Sequence, residues 1–128
     1  MAGMGFVSKS VCVAFALAGL IVGASADGSV ESGRQLFDRR CRTCHGGTGP
    51  ADSSIGPNLA GVVGKKAGTT AGGVHSRAPI DSGIVWDRES LRRFLSVPRR
   101  DIAGSIMPVG VTDPAELERL LDYLESLR

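Results

Sequence analysis

Cys41-Arg42-Thr43-Cys44-His45 is the stretch on which the reading of this chain turns. Two thiols separated by two residues lie about one helical turn apart. At that distance each can form a thioether to one of the two vinyl groups of a haem. The imidazole that follows directly is then held under the ring, where Nε2 can bind the iron. The pattern is that of a covalent c-type haem attachment site.

Plainer readings compete. A redox pair of the thioredoxin kind belongs beside a strand-helix-strand pattern, and the sequence carries none. A structural disulfide between Cys41 and Cys44 uses the thiols but leaves His45 without a role. A zinc site needs four ligands, and beyond this motif there is only the distant His75. The last alternative is a chance match, and the motif favours haem over all of these.

The chain has 128 residues, room for one small domain. Aromatic residues are few, with four Phe, one Trp and one Tyr, whereas Gly occurs 18 times. Such a chain buries little core of its own, and a large flat apolar cofactor would supply the missing part. Residues 1–26 read as a secretory signal: Lys9, an apolar run from Val11 to Val22, then Ala24-Ser25-Ala26 at a cleavage site. The run is too short to span a bilayer comfortably. The mature chain is expected to start at Asp27, with residues 27–128 as its one domain; a retained signal would act as a membrane anchor. Cleavage removes Cys12, Met1 and Met4, which leaves both cysteines in the motif and Met107 as the sole methionine. It also lowers the formal charge from +2 to +1, which excludes a nucleic-acid partner.

Ser29 is placed to cap a first helix, with Glu31 in its first turn, running to about Thr43 and delivering both cysteines. Gly33 and Phe37 share a face of it. Glycine in a helix interior costs about 1 kcal/mol against Ala, and its use is to let another helix approach closely. Residues 46–83 carry recurrent Gly, Pro, Ser and Thr with no sustained period, a long irregular stretch that a haem edge would order. Gly61 to Lys66 hints at a phosphate loop but lacks its first Gly and its Ser/Thr. A second helix is expected from Arg88 to Val97, capped by Asp87 and stopped by Pro98. Residues 99–112 read as a loop. A last helix starts with Asp113 as cap, Pro114 at its first position and Glu116 closing a capping box. Leu117, Leu120, Leu121, Leu124 and Leu127 then form one stripe.

His45 needs a partner for its second ring nitrogen, as metal-bound imidazoles generally do. Gly56-Pro57-Asn58-Leu59 is either an ordinary turn or the source of that carbonyl. A lone Met is more often core than ligand, but Met107 sits in a Pro-flanked loop, off any helix stripe. It is therefore the candidate for the sixth iron position, and His/Met ligation suits electron transfer. Haem propionates need polar partners. Trp86, His75, Ser105 and Lys65 are candidates, with core packing open for Trp86 and a surface position open for His75. Arginines cluster at 34, 39, 40 and 42 and again at 88, 92, 93, 99 and 100. They are solvated faces or, if they ring the exposed haem edge, steer acidic redox partners.

Taken together, residues 29–127 resemble the class I cytochromes c. The resemblance rests on Gly33 and Phe37, the haem motif, Gly56-Pro57-Asn58-Leu59-Ala60-Gly61, Gly83-Ile84-Val85-Trp86, Pro98 and Gly104-Ser105-Ile106-Met107. It implies an all-α cytochrome c fold, a few helices and long loops wrapped round one haem attached through Cys41 and Cys44. It implies that the first and last helices cross, with Gly33 and Phe37 against Leu120 and Tyr123. It also implies that Pro57 orients His45, that Met107 is the distal ligand, and that Trp86 and His75 reach a propionate, with Ser105 where Thr is common. The chain departs from the family at Phe94, where many members carry a Tyr bonded to the Met sulfur. It departs again at Ile106, a common Lys, and at Arg99 and Arg100, which replace lysines. The function implied is a single-electron carrier, not an enzyme, exported to the periplasm of a Gram-negative bacterium and working as a monomer. Its redox partners would dock at the haem edge through Arg39, Arg40, Arg99 and Arg100. The alternatives are a haem with a labile sixth ligand, acting in catalysis or gas sensing, and a dedicated cytochrome subunit of one dehydrogenase.

Overall fold

Helices begin where the sequence supplies caps and run as far as an apolar stripe supports them. The computed structural model describes residues 26–46 and 55–128, together with Met1. The signal reading of residues 2–25 and the 47–54 part of the irregular loop lie outside the described residues. Six helices follow in order: α1 (Ala26–Arg40), α2 (Arg42–His45), α3 (Arg77–Ser82), α4 (Arg88–Ser96), α5 (Pro98–Asp101) and α6 (Pro114–Ser126). Among the described residues there is no strand, only one antiparallel bridge between Lys66 and Val85. None of their helices is long and apolar enough to cross a membrane.

The pairing of α1 with α6 carries the core. Phe37, Leu120, Leu121 and Leu124 are each at most 2% exposed, and burying such a side chain contributes about 1.5–3 kcal/mol. Phe37 meets Tyr123 with ring centroids 5.5 Å apart and tilted by 56°, a geometry that aromatic pairs favour. Gly33 marks the point of closest approach. A Cβ there would run into the carbonyl of Arg119 and lie 2.8 Å from Tyr123 Cβ.

Several helix ends differ from the sequence reading. The chain is already helical at Ala26, so Ser29 does not cap α1; its hydroxyl donates to Asp122 on α6 instead. The helical path breaks at Cys41 and resumes as α2 through His45, past the expected end at Thr43. Asp87 caps α4 as expected, accepting the Ser90 N–H at 2.7 Å, while Ser90 Oγ accepts the Asp87 N–H at 2.9 Å. Pro98 ends α4 but also opens α5, because proline is tolerated at a first helical position. Asp113 caps α6, accepting the Glu116 N–H at 2.7 Å. The expected return bond from Glu116 gives way to an ion pair with Arg40 at 3.2 Å, since a guanidinium is the stronger donor. Inside the stretch expected to be irregular, α3 forms and stops at Gly83, which adopts φ 69°.

Charge locks α4 onto α6. Glu118, Asp122 and Glu125 stand at helical spacing on one face and all bind Arg88, at 2.7, 2.8 and 2.7 Å. Arg92 joins Glu118 at 2.7 Å. These bonds from Arg92 and Arg88 hold the Glu118 carboxyl at about 2, below its ordinary 4.5.

Two tests follow from this packing. Gly33→Ala should destabilise the protein by about 1–3 kcal/mol through overpacking, despite the better helix propensity of Ala. Gly28→Ala, with nothing within 4 Å, should instead be neutral or gain up to about 1 kcal/mol; thermal denaturation of both reads the opposite signs. For Glu118 the folded value lies below the unfolded one. Its contribution is therefore full above pH 4.5 and lost as pH falls towards 2. Urea titrations over that range should show wild type and Glu118→Gln converging as the pH drops.

Candidate haem site

Cys41, at the break between α1 and α2, and Cys44 and His45 of α2 border one apolar cavity. Phe37, Leu120 and Leu124 from the helix pair form part of the same wall, and Trp86, Leu91, Phe94 and Leu95 add another part from α4 and the residues before it. Trp86 is buried and packs on Phe94, with ring centroids 5.2 Å apart. The loop from Ser105 to Pro108 also borders the cavity. Eight of the nine candidate side chains line it: Cys41, Cys44, His45, Pro57, His75, Trp86, Ser105 and Met107. Lys65 does not; it is exposed, with its chain lying near Gly61.

His45 is held from two directions. Its Nδ1 lies 2.8 Å from the Pro57 carbonyl oxygen. A carbonyl only accepts, so Nδ1 carries a proton, and in the neutral imidazole that leaves the lone pair on Nε2. Gly56 lies against the ring, and a Cβ there would stand 2.9 Å from Cε1 and 3.0 Å from Nδ1. The Gly56 N–H donates to the Cys44 carbonyl at 2.6 Å, so the orienting loop is tied back to the motif it serves.

Cys41 packs against the core, and burial pushes its thiol up to about 11, with the charge of Arg40 opposing the rise. Redox-active thiols are generally shifted the other way, towards the thiolate, and among the described residues no strand-helix-strand unit carries the pair. No group of three or more His, Cys, Asp or Glu among the described residues can hold a metal ion, which removes the zinc reading from them.

On the Met107 side, Ser105 is buried and its hydroxyl accepts the Met107 N–H at 3.4 Å. Ser76 Oγ accepts the Ile106 N–H at 3.2 Å and so joins the two loops that carry His75 and Met107. The sequence reading missed Ser76, and nothing local marks it, since its partner is 30 residues away.

The arginines divide. Arg88 and Arg92 are committed to α6, and Arg34 and Arg42 both pair with Asp38, at 2.9 and 3.4 Å. Arg40 is shared between Glu116 and the Gly110 carbonyl. Arg39, Arg99 and Arg100 are exposed, and the last two border a shallow groove together with Met107 and Pro108. At the mouth of the main cavity Ile55, Val74 and Ile106 are exposed apolar residues.

The donor set fits a haem. Two sulfurs lie one turn apart at one part of an apolar cavity, beside an imidazole whose free nitrogen is Nε2, and a thioether borders the same cavity. Helices wrapped round such a cavity define a c-type haem protein.

The comparisons agree. The Cytochrome c family model matches residues 30–128. Cytochrome c type-1 of Ascaris suum is 36% identical over 101 residues, covering 78% of this chain and 89% of that protein. Cytochrome c2 of Agrobacterium tumefaciens (strain II Chrys) is 36% identical over 102 residues, covering 77% and 91%. The solved structure of cytochrome cH from Methylobacterium extorquens superposes with a TM-score of 0.67 at 32% identity, over 76% of this chain and 97% of that one. The chain belongs to the cytochrome c family, as a class I monohaem member. It takes one haem c, attached through Cys41 and Cys44, and is an electron-transfer protein rather than an enzyme.

The fit of Gly56 against the imidazole is open to test. Gly56→Ala should push the His45 ring away from the Pro57 carbonyl and cost about 1–3 kcal/mol of stability by overpacking. Denaturation, with the His45 ring resonances as a local probe, reads both effects.

Proposed function

We propose that His45 and Met107 are the two axial ligands of the haem iron and that the protein is an exported single-electron carrier. One observation carries the reading: His45, with Nδ1 given to the Pro57 carbonyl and Nε2 left free, borders the same apolar cavity as the sole methionine of the mature chain. When bound, the haem supplies a one-electron ferrous/ferric couple whose potential a Met ligand raises. Pro57 holds the imidazole in one tautomer and orientation. Ser105 and the Ser76 bond to Ile106 fix the loop that offers the sulfur. These bonds would hold both donor residues in place, which would limit rearrangement when a bound haem changes oxidation state. The apolar wall from Phe37 to Leu124 excludes water. Trp86, His75 and Ser105 are the polar side chains on the wall assigned to the propionates.

Residues 1–26 act as the signal that takes the chain to the periplasm of a Gram-negative bacterium, and Asp27 starts the mature protein. There it works as a monomer between a membrane complex or periplasmic dehydrogenase and an oxidase or reductase. Exposed Arg99, Arg100 and Arg39 steer acidic partners, with Arg40 contributing less because Glu116 shares its charge. Steering of this kind weakens as salt screens it.

A second reading, a labile sixth position used in catalysis or sensing, draws on Phe94. It lines the cavity and offers no hydroxyl to the Met107 sulfur. Visible spectra of the reduced protein with and without carbon monoxide separate the two. The carrier reading expects a sharp low-spin spectrum that carbon monoxide leaves unmoved. A prompt shift transfers the assignment to the second reading. Met107→Ala should open the site to carbon monoxide and lower the potential; if neither changes, Met107 is not the ligand.

A further inference from the structure

The loop that orients His45 is itself clamped by a second loop. Residues 71–74 lie across residues 55–58 and are held there on both sides of Pro57. The Val74 N–H donates to the Ile55 carbonyl at 2.8 Å, and the Asn58 N–H donates to the Ala71 carbonyl at 2.9 Å. Between these two bonds the backbones touch. Gly73 adopts φ 63°, and a Cβ on it would collide with the Gly56 carbonyl and lie 2.7 Å from the Pro57 nitrogen. The other flank of the same segment meets His45, with Gly56 under the ring. The Gly56–Pro57 peptide is therefore packed between the imidazole and the Gly73 backbone. Proline has no N–H, so this peptide has no donor of its own to anchor it. Its position depends on packing, on the Gly56 N–H bond to the Cys44 carbonyl on one side, and on the two bonds from residues 71–74 on the other.

We propose that residues 71–74 form a strap that positions the Pro57 carbonyl, and that Gly73 is a positioning residue for His45. The inference rests on His45 being an iron ligand. A hydrogen bond from Nδ1–H to a carbonyl raises the electron-donating power of the imidazole and fixes its plane. A strap that holds the carbonyl at 2.8 Å thus favours the ferric state. Loosening it weakens the bond, makes the imidazole a poorer donor and raises the reduction potential. Nothing near His45 in sequence signals this, since Gly73 reads as one more residue of a flexible loop. The tight turn demands glycine twice over, by its left-handed backbone and by the contact it makes.

The test compares holoprotein variants matched for backbone strain. Gly73→Ala places a Cβ against the Gly56–Pro57 peptide. Gly83→Ala imposes a similar left-handed strain at φ 69° but meets nothing within 4 Å. Both should lower the melting temperature. Only Gly73→Ala should raise the reduction potential and speed hydrogen exchange of the His45 Nδ1–H in the ferrous protein, read by NMR. Val74→Pro, which removes the N–H given to Ile55, should move both readouts in the same direction and serves if Gly73→Ala does not fold. Equal behaviour of the Gly73 and Gly83 variants, or a Val74→Pro protein with unaltered potential and exchange, overturns the strap. A wild-type protein whose iron shows no axial imidazole signal from His45 overturns the ligand assignment beneath it, and is seen before any variant is made.

Discussion

The crossing of α1 over α6 at Gly33 is the contact on which the rest of the structure depends. The two backbones approach so closely that the Arg119 carbonyl occupies the space of a side chain at that point. Everything C-terminal to Gly33 on α1 is thereby given its direction. One turn later Phe37 is buried against Tyr123, and a further turn on the chain delivers Cys41, Cys44 and His45. Because Phe37, Leu120 and Leu124 belong to both the helix interface and the cavity wall, the core and the haem site are one packed body. A shift of the crossing would move the cysteines relative to the wall that must enclose the cofactor.

Around this centre the site is assembled from loops that have little structure of their own. The Pro57 loop is bonded back to Cys44, the 71–74 segment is bonded to the Pro57 loop, and Ser76 is bonded to Ile106. Each loop is held by the next, and most of these bonds use backbone groups. Such an arrangement needs glycine where backbones touch and serine where a short side chain must reach across. It does not need a long apolar pattern, which explains how a chain with so few aromatic residues encloses a large apolar cavity.

Charge is arranged with equal economy. The acidic face of α6 meets Arg88 and Arg92 of α4, so part of the later basic cluster is neutralised within the fold by Glu118, Asp122 and Glu125. The pairs are partly exposed and individually weak, but they fix the rotation of α4, the helix that supplies Leu91, Phe94 and Leu95 to the cavity. Of the clustered arginines, Arg99 and Arg100 beside the Met107 loop and Arg39 at the end of α1 are exposed without an ion pair among the described residues, a smaller unpaired set than the count of arginines suggests.

Local chemistry was legible in the chain. The spacing of Cys41, Cys44 and His45 specifies a haem attachment within five residues. Asp87 and Asp113 cap helices through bonds only three residues long, and the leucine stripe of α6 follows from helical geometry alone. Features that depend on distant partners were not legible. Ser29 has the composition of a cap, yet it bonds Asp122 because α6 lies beside it. Glu116 has the spacing of a capping box, yet Arg40 takes its carboxylate. Arg88 is indistinguishable in sequence from Arg99, but one faces three carboxylates and the other faces solvent. The same holds for Gly73, whose contact with the Gly56–Pro57 peptide exists only once two loops are brought together. A hydrogen bond between near neighbours is decided by backbone geometry and so by local residue order. One between residues tens of positions apart is decided by which surfaces the helix crossing and the cavity bring into reach.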